Sequence, residues 1–374
     1  MANKSSDKKT EKSGKQKGKL SLFARLLTAL AWIAVLLLWL CAASRYVSPA
    51  MVLPFGVLGL GFPFFLGAVV LMLIVCLLFV PRRAWIPLVG LLFSFDAIYD
   101  YCPINLPTPA PKDCLKVMTW NVQGFGGMKT DDTGKSQAGS YISKNAPDIL
   151  CFQEGWVSKQ NLTKLKKELK KDLPYMDTCL IFENVIGIFS RYPIVEKKIL
   201  ARGHNNGAAV FLLEMKRGDT LRVVNCHLES MKLLREDRTM WSNMVHDPDD
   251  SSMSEEQSLR LFTTMARSTA TRSEQADLVG DYVAAHCNNS LMVCGDFNDT
   301  PISYSYYRIG KELTDVYRAT SNGIGRTFNR DAIYVRIDHM FCSDQWKPYA
   351  CSLDSKVKIS DHYPLTCYFK RVNP

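Results

Sequence analysis

Two long apolar runs near the N-terminus limit what this chain can fold into. From Leu26 to Ser44 the text "LLTALAWIAVLLLWLCAAS" carries no charge. As a helix it is long enough to cross a hydrocarbon core of roughly 30 Å. Charge is again absent from Tyr46 to Pro81, and "FFLGAVVLMLIVCLLFV", Phe64–Val80, reads as a second span. A cleaved signal peptide would account for the first run alone, because the later apolar segments would still need a membrane. A third, shorter stretch, "WIPLVGLLFSF", follows Arg82 and Arg83. It either completes a third span with Ala97–Tyr101 as its interfacial end, or re-enters the membrane.

Charge orients these spans. Residues 1–25 hold seven Lys and one Arg against Asp7 and Glu11. Basic residues stand before the first span and between the second and third, so both places are expected to be cytoplasmic. With three spans, everything after about residue 102 lies outside the cytoplasm, anchored in the cell (inner) membrane. If the third segment does not cross, the domain lies inside. Of the chain's net +10, only +3 falls on residues 101–374. The basic pI is therefore mostly a property of the tail and says little about nucleic acid. Among twelve cysteines, Cys151, Cys226 and Cys294 read as buried thiols, and Cys102 and Cys114 could pair in an oxidising compartment. The chain has no CxxC, which argues against a zinc ribbon.

The organisation expected is a basic tail (1–25), a membrane region (26–101), a Pro-rich linker (102–113) and a large domain (114–374). In the last, short strand-like runs end in polar clusters: "LKVMTWNV", "PDILCFQE", "NVIGIFS", "GAAVFLLEM", "TLRVVNCHLE", "SLMVCGDFN", "IDHMFC" and "LTCYFK". Helical stripes lie between some of them, with Leu162, Leu165 and Leu169 on one and Ala276, Val279, Val283 and His286 on another. This is a mixed α/β pattern with much sheet and no internal repeat. The acidic stretch 246–258 reads as a mobile loop.

Strand ends carry the chemistry. Asn121 follows "VMTW", Glu154 follows "ILCFQ", His227 follows "VVNC", and Asp296 and Asn298 follow "LMVCG". Asp338 and His339 stand in "RIDHMF", and Asp361 and His362 in "SDHYP". Any one of these reads as a turn or cap. Together they are the residue types that bind a hard cation and move protons. Period two places Asp296 and Asn298 on one side of the chain as it leaves its strand. Asp299, Thr300 and Pro301 remain turn chemistry.

In their order, "TWNVQG", "FQE", "IFSRYPI", "NCHLES", "GDFNDTP", "RIDH" and "SDHYP" resemble the endonuclease/exonuclease/phosphatase (DNase I-like) superfamily over about residues 114–371. The resemblance implies an α/β four-layer sandwich of two packed mixed β-sheets flanked by helices; the about three transmembrane helices expected before it lie outside the resemblance. It implies Glu154 as a ligand of Mg²⁺ or Mn²⁺, with Asn121 near metal and phosphate and Asp361 reaching the metal. Asp296 would orient or deprotonate the attacking water. Asn298 would bind a phosphate oxygen, His227 would stabilise the pentacovalent phosphorus, and Asp338 would orient and charge His362. Gln123 stands where several relatives carry an acid, so one ion is expected.

Other residues have plainer readings. His339 next to Asp338 points to the opposite face and reads as core or surface. Arg336 shares the face of Asp338 and could pair with an acid or approach the substrate. His204 reads as a loop residue, His246 as solvated, His286 as a helix end and Arg191 as structural. In "RSEQ", either Ser273 caps a helix or Arg272 faces the site.

Three functions compete: a membrane-anchored metal-dependent phosphoesterase acting on a lipid head group or small molecule, a nuclease of the same fold outside the cytoplasm, and an inactive binding module. The full residue set speaks against the third. The domain's near-balanced charge speaks against nucleic acid. No protein partner is expected.

Overall fold

The computed structural model describes residues 22–215, 218–231, 254–330 and 334–372. The basic tail before Leu22, His246 and the acidic stretch up to residue 253 lie outside these. Helices α1 (Leu22–Ala43), α2 (Phe55–Leu58) and α3 (Phe62–Phe79) come first. Two helical stretches, Leu22–Tyr46 and Phe55–Phe79, are long and apolar enough to cross a membrane. They form an antiparallel hairpin: the Phe23 and Phe79 rings meet at 6.1 Å at one end, and Gly61 approaches Cys41 at the other. Leu26, Leu30, Ile33 and Leu36 on α1 and Leu71, Ile74 and Leu77 on α3 are exposed. A helix of a soluble core would bury such residues.

The third apolar segment takes a different form from the expected span. It breaks at Ser94 into α4 (Trp85–Phe93) and α5 (Phe95–Tyr101). The first piece packs back along α1, with Trp85 against Trp32 at 5.7 Å and Trp39 Nε1 donating to the Gly90 carbonyl at 3.2 Å. The second piece carries Asp96 and Asp100, which pair with Arg45 at 2.8 and 2.6 Å. These acids draw the chain out of the apolar bundle and onto the following domain, where Arg318 meets them at 2.7 and 3.1 Å.

The following domain has two six-stranded sheets. The first contains β1 (Leu115–Asn121), β2 (Ile149–Gln153), β3 (Tyr175–Ile181), β4 (Asn184–Ser190), β11 (Trp346–Leu353) and β12 (Leu365–Arg371), in the order β11-β12-β1-β2-β4-β3. The second contains β5 (Ile194–Arg202), β6 (Gly207–Glu214), β7 (Thr220–His227), β8 (Leu291–Asp296), β9 (Thr314–Asp315) and β10 (Asp338–Cys342), in the order β5-β6-β7-β8-β10-β9. Val117, Ile149 and Cys151 from one sheet and Phe211, Val223 and Cys294 from the other fill the space between them. Outside lie α6 (Gln137–Asn145) and α7 (Lys159–Leu169) on one face and α8 (Glu255–His286) with α9 (Tyr304–Gly310) on the other. A short α10 (Val316–Thr320) follows β9. The four-layer sandwich is thus the architecture found.

Three local expectations change. α8 starts at Glu255 behind a Ser254 capping box, so Ser273 lies in mid-helix and caps nothing. The start of the Pro-rich linker is docked, since Asn105 Nδ2 donates to the carbonyls of Arg318 and Ser321 at 2.8 and 2.6 Å. Cys102 and Cys114 are free thiols.

His339 is a core residue. Its ring packs against Phe297 and Tyr306 at 5.2 and 4.9 Å, and Nε2 donates to the Asp299 carbonyl at 2.8 Å. Burial pushes its pKa down from 6.5 to about 3. The unfolded chain therefore binds a proton below pH 6.5 that the folded chain refuses, and stability falls as pH falls through that value. Relative to pH 7, this group should cost about 2 kcal/mol at pH 5. Unfolding midpoints of the full chain in detergent, measured from pH 7 to 5, should drop less in His339→Phe. Parallel pH profiles for the two proteins would refute this.

Candidate active site

Strand direction gathers the site. β1 runs parallel to β2 and β7 parallel to β8, so four C-terminal ends open on one edge of the sandwich. β10 runs antiparallel to β8 and begins at that edge. Register then places His227 and Asp338 on either side of Asp296. The two sheets meet through Asn121, whose Nδ2 donates to Glu154 Oε1 and Asp296 Oδ2, both at 3.0 Å. Gly295 sits at φ +135, where a Cβ would collide with the Cys226 carbonyl; only glycine lets β7 and β8 close here.

Asp296 is 1% exposed, and burial pushes its carboxyl up while His362 and His227 pull it down. His362 Nδ1 lies 2.8 Å from Asp338 Oδ2, and its Nε2 lies 3.7 Å from Asp296 Oδ2. Burial alone would make this imidazole a weaker base. The carboxylates of Asp338 and Asp296 outweigh it, and the pKa rises to about 10. The ring is therefore a cation at neutral pH. Thr327 Oγ1 accepts from the Asp338 amide at 3.2 Å, and the Phe328 ring stands edge-on to His362 at 5.2 Å. Trp120 Nε1 donates to the His362 carbonyl at 3.0 Å, tying the "SDHYP" turn to β1.

His227 stands across from His362, its Nε2 3.7 Å from Glu154 Oε1 and 3.8 Å from Asp296 Oδ2. Asn206 and Asn184 bracket the ring, with Nδ2 atoms 3.1 Å from its Nε2 and 3.2 Å from its Nδ1. Glu154, just past β2, turns at φ +54 and keeps its carboxylate partly open to solvent. Ligand atoms of Asp296, Asp338 and His362 lie within 4.8 Å of one another. Because the His362–Asp338 contact is a buried hydrogen bond, this trio suits proton handling. The hard carboxylate oxygens of Glu154 at the open side suit Mg²⁺ better, with the buried Asn121 bonded beside them.

Two expectations are altered and one fails. Asn298 is not aligned with Asp296 by strand alternation. β8 ends at Asp296, and Asn298 sits in a left-handed turn at φ +52. Its amide N–H donates to Asp296 Oδ1 at 2.8 Å and its Nδ2 to the Leu228 carbonyl at 2.9 Å. Asp361 has partners already, accepting from Gln123 Nε2 at 2.9 Å and pairing with Arg330 Nε at 3.3 Å. Both contacts fall on Oδ2, which leaves Oδ1, with only Ser360 Oγ at 3.4 Å, as the oxygen that could face a metal. Arg336 is not at the mouth. It is 1% exposed, lies over the Tyr317 ring at 4.3 Å and donates to the carbonyls of Asp100 and Ile324. Alternation along the strand named its face, but β10 begins only at Asp338, so the alternation does not reach it.

Arg272 lies behind the site, bonding the Glu229 carbonyl at 2.6 Å and Asp299 at 3.0 Å. Arg191 pairs with Asp148 at 2.5 Å, away from the chemistry. Asn184, Asn206, Thr327 and Arg330 were not singled out from the sequence. Asn206 stands in "RGHNNGA", two residues after the histidine that drew attention there.

The Endonuclease/Exonuclease/phosphatase family matches residues 118–362, and a domain of unknown function, DUF8431, matches residues 24–101. No curated protein matches the chain. Similar solved structures include an endonuclease/exonuclease/phosphatase from Bacteroides vulgatus, at 19% identity over 70% of this chain and 100% of that one, TM-score 0.46. The human Nocturnin catalytic domain, with bound sulfate, has 19% identity over 72% and 96%, TM-score 0.47. A mannosyl-6-phosphatase from Bacteroides thetaiotaomicron has 17% identity over 68% and 99%, TM-score 0.42. With the match running from the first site strand to the His362 that closes the cluster, the chain belongs to the endonuclease/exonuclease/phosphatase family, hydrolases of phosphoester bonds that typically depend on a divalent metal.

Proposed function

We propose that this protein is a membrane-anchored, metal-dependent phosphoesterase that hydrolyses a phosphodiester or phosphomonoester by attack of water. The observation that carries this reading is the meeting of Asp296, Asp338, His227 and His362 beside the open carboxylate of Glu154. Glu154 and Asn121 would hold one Mg²⁺ or Mn²⁺, which when bound neutralises the phosphoester's charge. Asp296, whose raised pKa makes it a stronger base than a free carboxylate, orients the water and takes its proton. His362, charged and aligned by Asp338, meets the negative charge growing on the phosphoryl oxygens. His227 faces the same oxygens from the other side, its ring held by Asn184 and Asn206. Asn298 keeps the Asp296 loop in place and offers an amide to phosphate.

The anchor is the α1–α3 hairpin. The basic tail precedes one of its ends and Arg82 and Arg83 follow that end, whereas the catalytic domain docks at the other. With α4 and α5 returning along α1 to that far end, positive charge at the cytoplasmic face supports a domain outside the cytoplasm, on the cell (inner) membrane. The test is hydrolysis of bis(p-nitrophenyl) phosphate by the full chain in detergent. EDTA should lower the rate by about a hundredfold or more, and added Mg²⁺ or Mn²⁺ should restore it. A rate indifferent to EDTA would sink the metal-dependent reading.

A further inference from the structure

The connection between α1 and α3, residues 44–61, is the end of the hairpin that touches the catalytic domain. The Ala50 amide donates to Ser273 Oγ on α8 at 3.2 Å. Gly56 packs on Thr269 so closely that a Cβ would collide with its hydroxyl, and Gly59 lies against the Ile302 carbonyl. Ile302 itself is buried among α1 and α3 side chains. It follows Asn298 by four residues, so at most roughly 14 Å of chain separates the hairpin from the catalytic turn. A second loop repeats the link. Ile324 packs on the same helical cluster, and a few residues later Thr327 and Phe328 support Asp338 and His362. Where α1 and α3 cross a bilayer, their connection lies at its surface, and the catalytic turn lies beside it.

α8 carries an independent sign. Leu259, Phe262, Ala266, Thr269 and Ser273 follow one another at steps of three and four, which places them on one helical stripe. The Thr269–Ser273 end of the stripe meets the hairpin connection. The other end continues as apolar surface, with Leu259 63% and Phe262 44% exposed. Met51, Val52 and Leu53 of the connection are exposed as well. Exposed Leu259 and Phe262, in line with the face that docks a hydrophobic hairpin, suit contact with a lipid surface.

We propose that the substrate is carried by the bilayer itself: a phospholipid whose headgroup phosphoester reaches the site, with Leu259 and Phe262 dipping into the lipid to seat the mouth. This deepens the phosphoesterase reading and rests on it. The water oxygen bonds to phosphorus, one P–O ester bond breaks, and the proton taken from water ends on the leaving oxygen.

The full chain, in vesicles of equal parts phosphatidylethanolamine, phosphatidylglycerol and sphingomyelin with Mg²⁺, should release headgroup products visible by phosphorus NMR. Bis(p-nitrophenyl) phosphate and supercoiled plasmid serve as soluble comparisons. Replacing Leu259→Ser and Phe262→Ser together should slow lipid turnover about tenfold and leave the soluble ester rate within about twofold. Hydrolysis of the soluble ester or plasmid with no lipid turnover would overturn the lipid proposal and leave the phosphoesterase standing. An unchanged lipid rate in the double variant would overturn the seating role. No hydrolysis of any substrate would overturn both readings.

Discussion

Replacing Asp296 by Asn should lower kcat for phosphoester hydrolysis by about a thousandfold, with the protein still folded. The side chain is 1% exposed and lies between Asn121, His227 and His362, so an amide of the same shape fits the space. What it lacks is the charge that accepts a proton and holds His362 cationic. Two of the effects in the proposed mechanism are lost in one substitution. A variant within about tenfold of the parent would mean that Asp296 is structural and that the base must be sought elsewhere. Melting curves of the two proteins should stay close, which separates lost chemistry from lost fold.

The second large effect concerns the junction. Arg45→Met should destabilise the full chain by about 3 kcal/mol, read as a fall in unfolding midpoint in detergent. Arg45 has only 7% of its side chain exposed and Asp100 only 6%, at a separation of 2.6 Å. Removing the guanidinium leaves a buried carboxylate with, among the described residues, a single remaining ion-pair partner, Arg318 Nε at 3.1 Å. An isolated surface pair would be worth about 0–1 kcal/mol. A change of that size would mean that water reaches the pair and that the helical region is merely tethered. A large one would make the hairpin and the catalytic domain one cooperative unit. It would also explain why two site loops, through Ile302 and Ile324, rest on it.

Much of the catalytic edge was legible because each site strand ends its apolar run on a polar residue. β1, β2, β7 and β8 are buried along nearly their whole length, so they read as continuous apolar text. β5 was not legible, since "IVEKKILAR" lies at a sheet edge and exposes its middle. β3 and β11 are edge strands also, with alternating and partial burial. Edge strands need no apolar run, so composition does not mark them.

The apolar helices, the mixed α/β class and the ordered set of acids, amides and histidines are legible in the chain because they follow from local periodicity and residue chemistry. Which of them meet depends on how distant segments pack. Strand register set His227 and Asp338 around Asp296, and the left-handed turn moved Asn298 off the strand's alternation. Arg336 went to the buried junction because Asp100, 236 residues earlier, offers its carbonyl there. Contacts between residues so distant in the chain depend on packing, which no local spacing encodes.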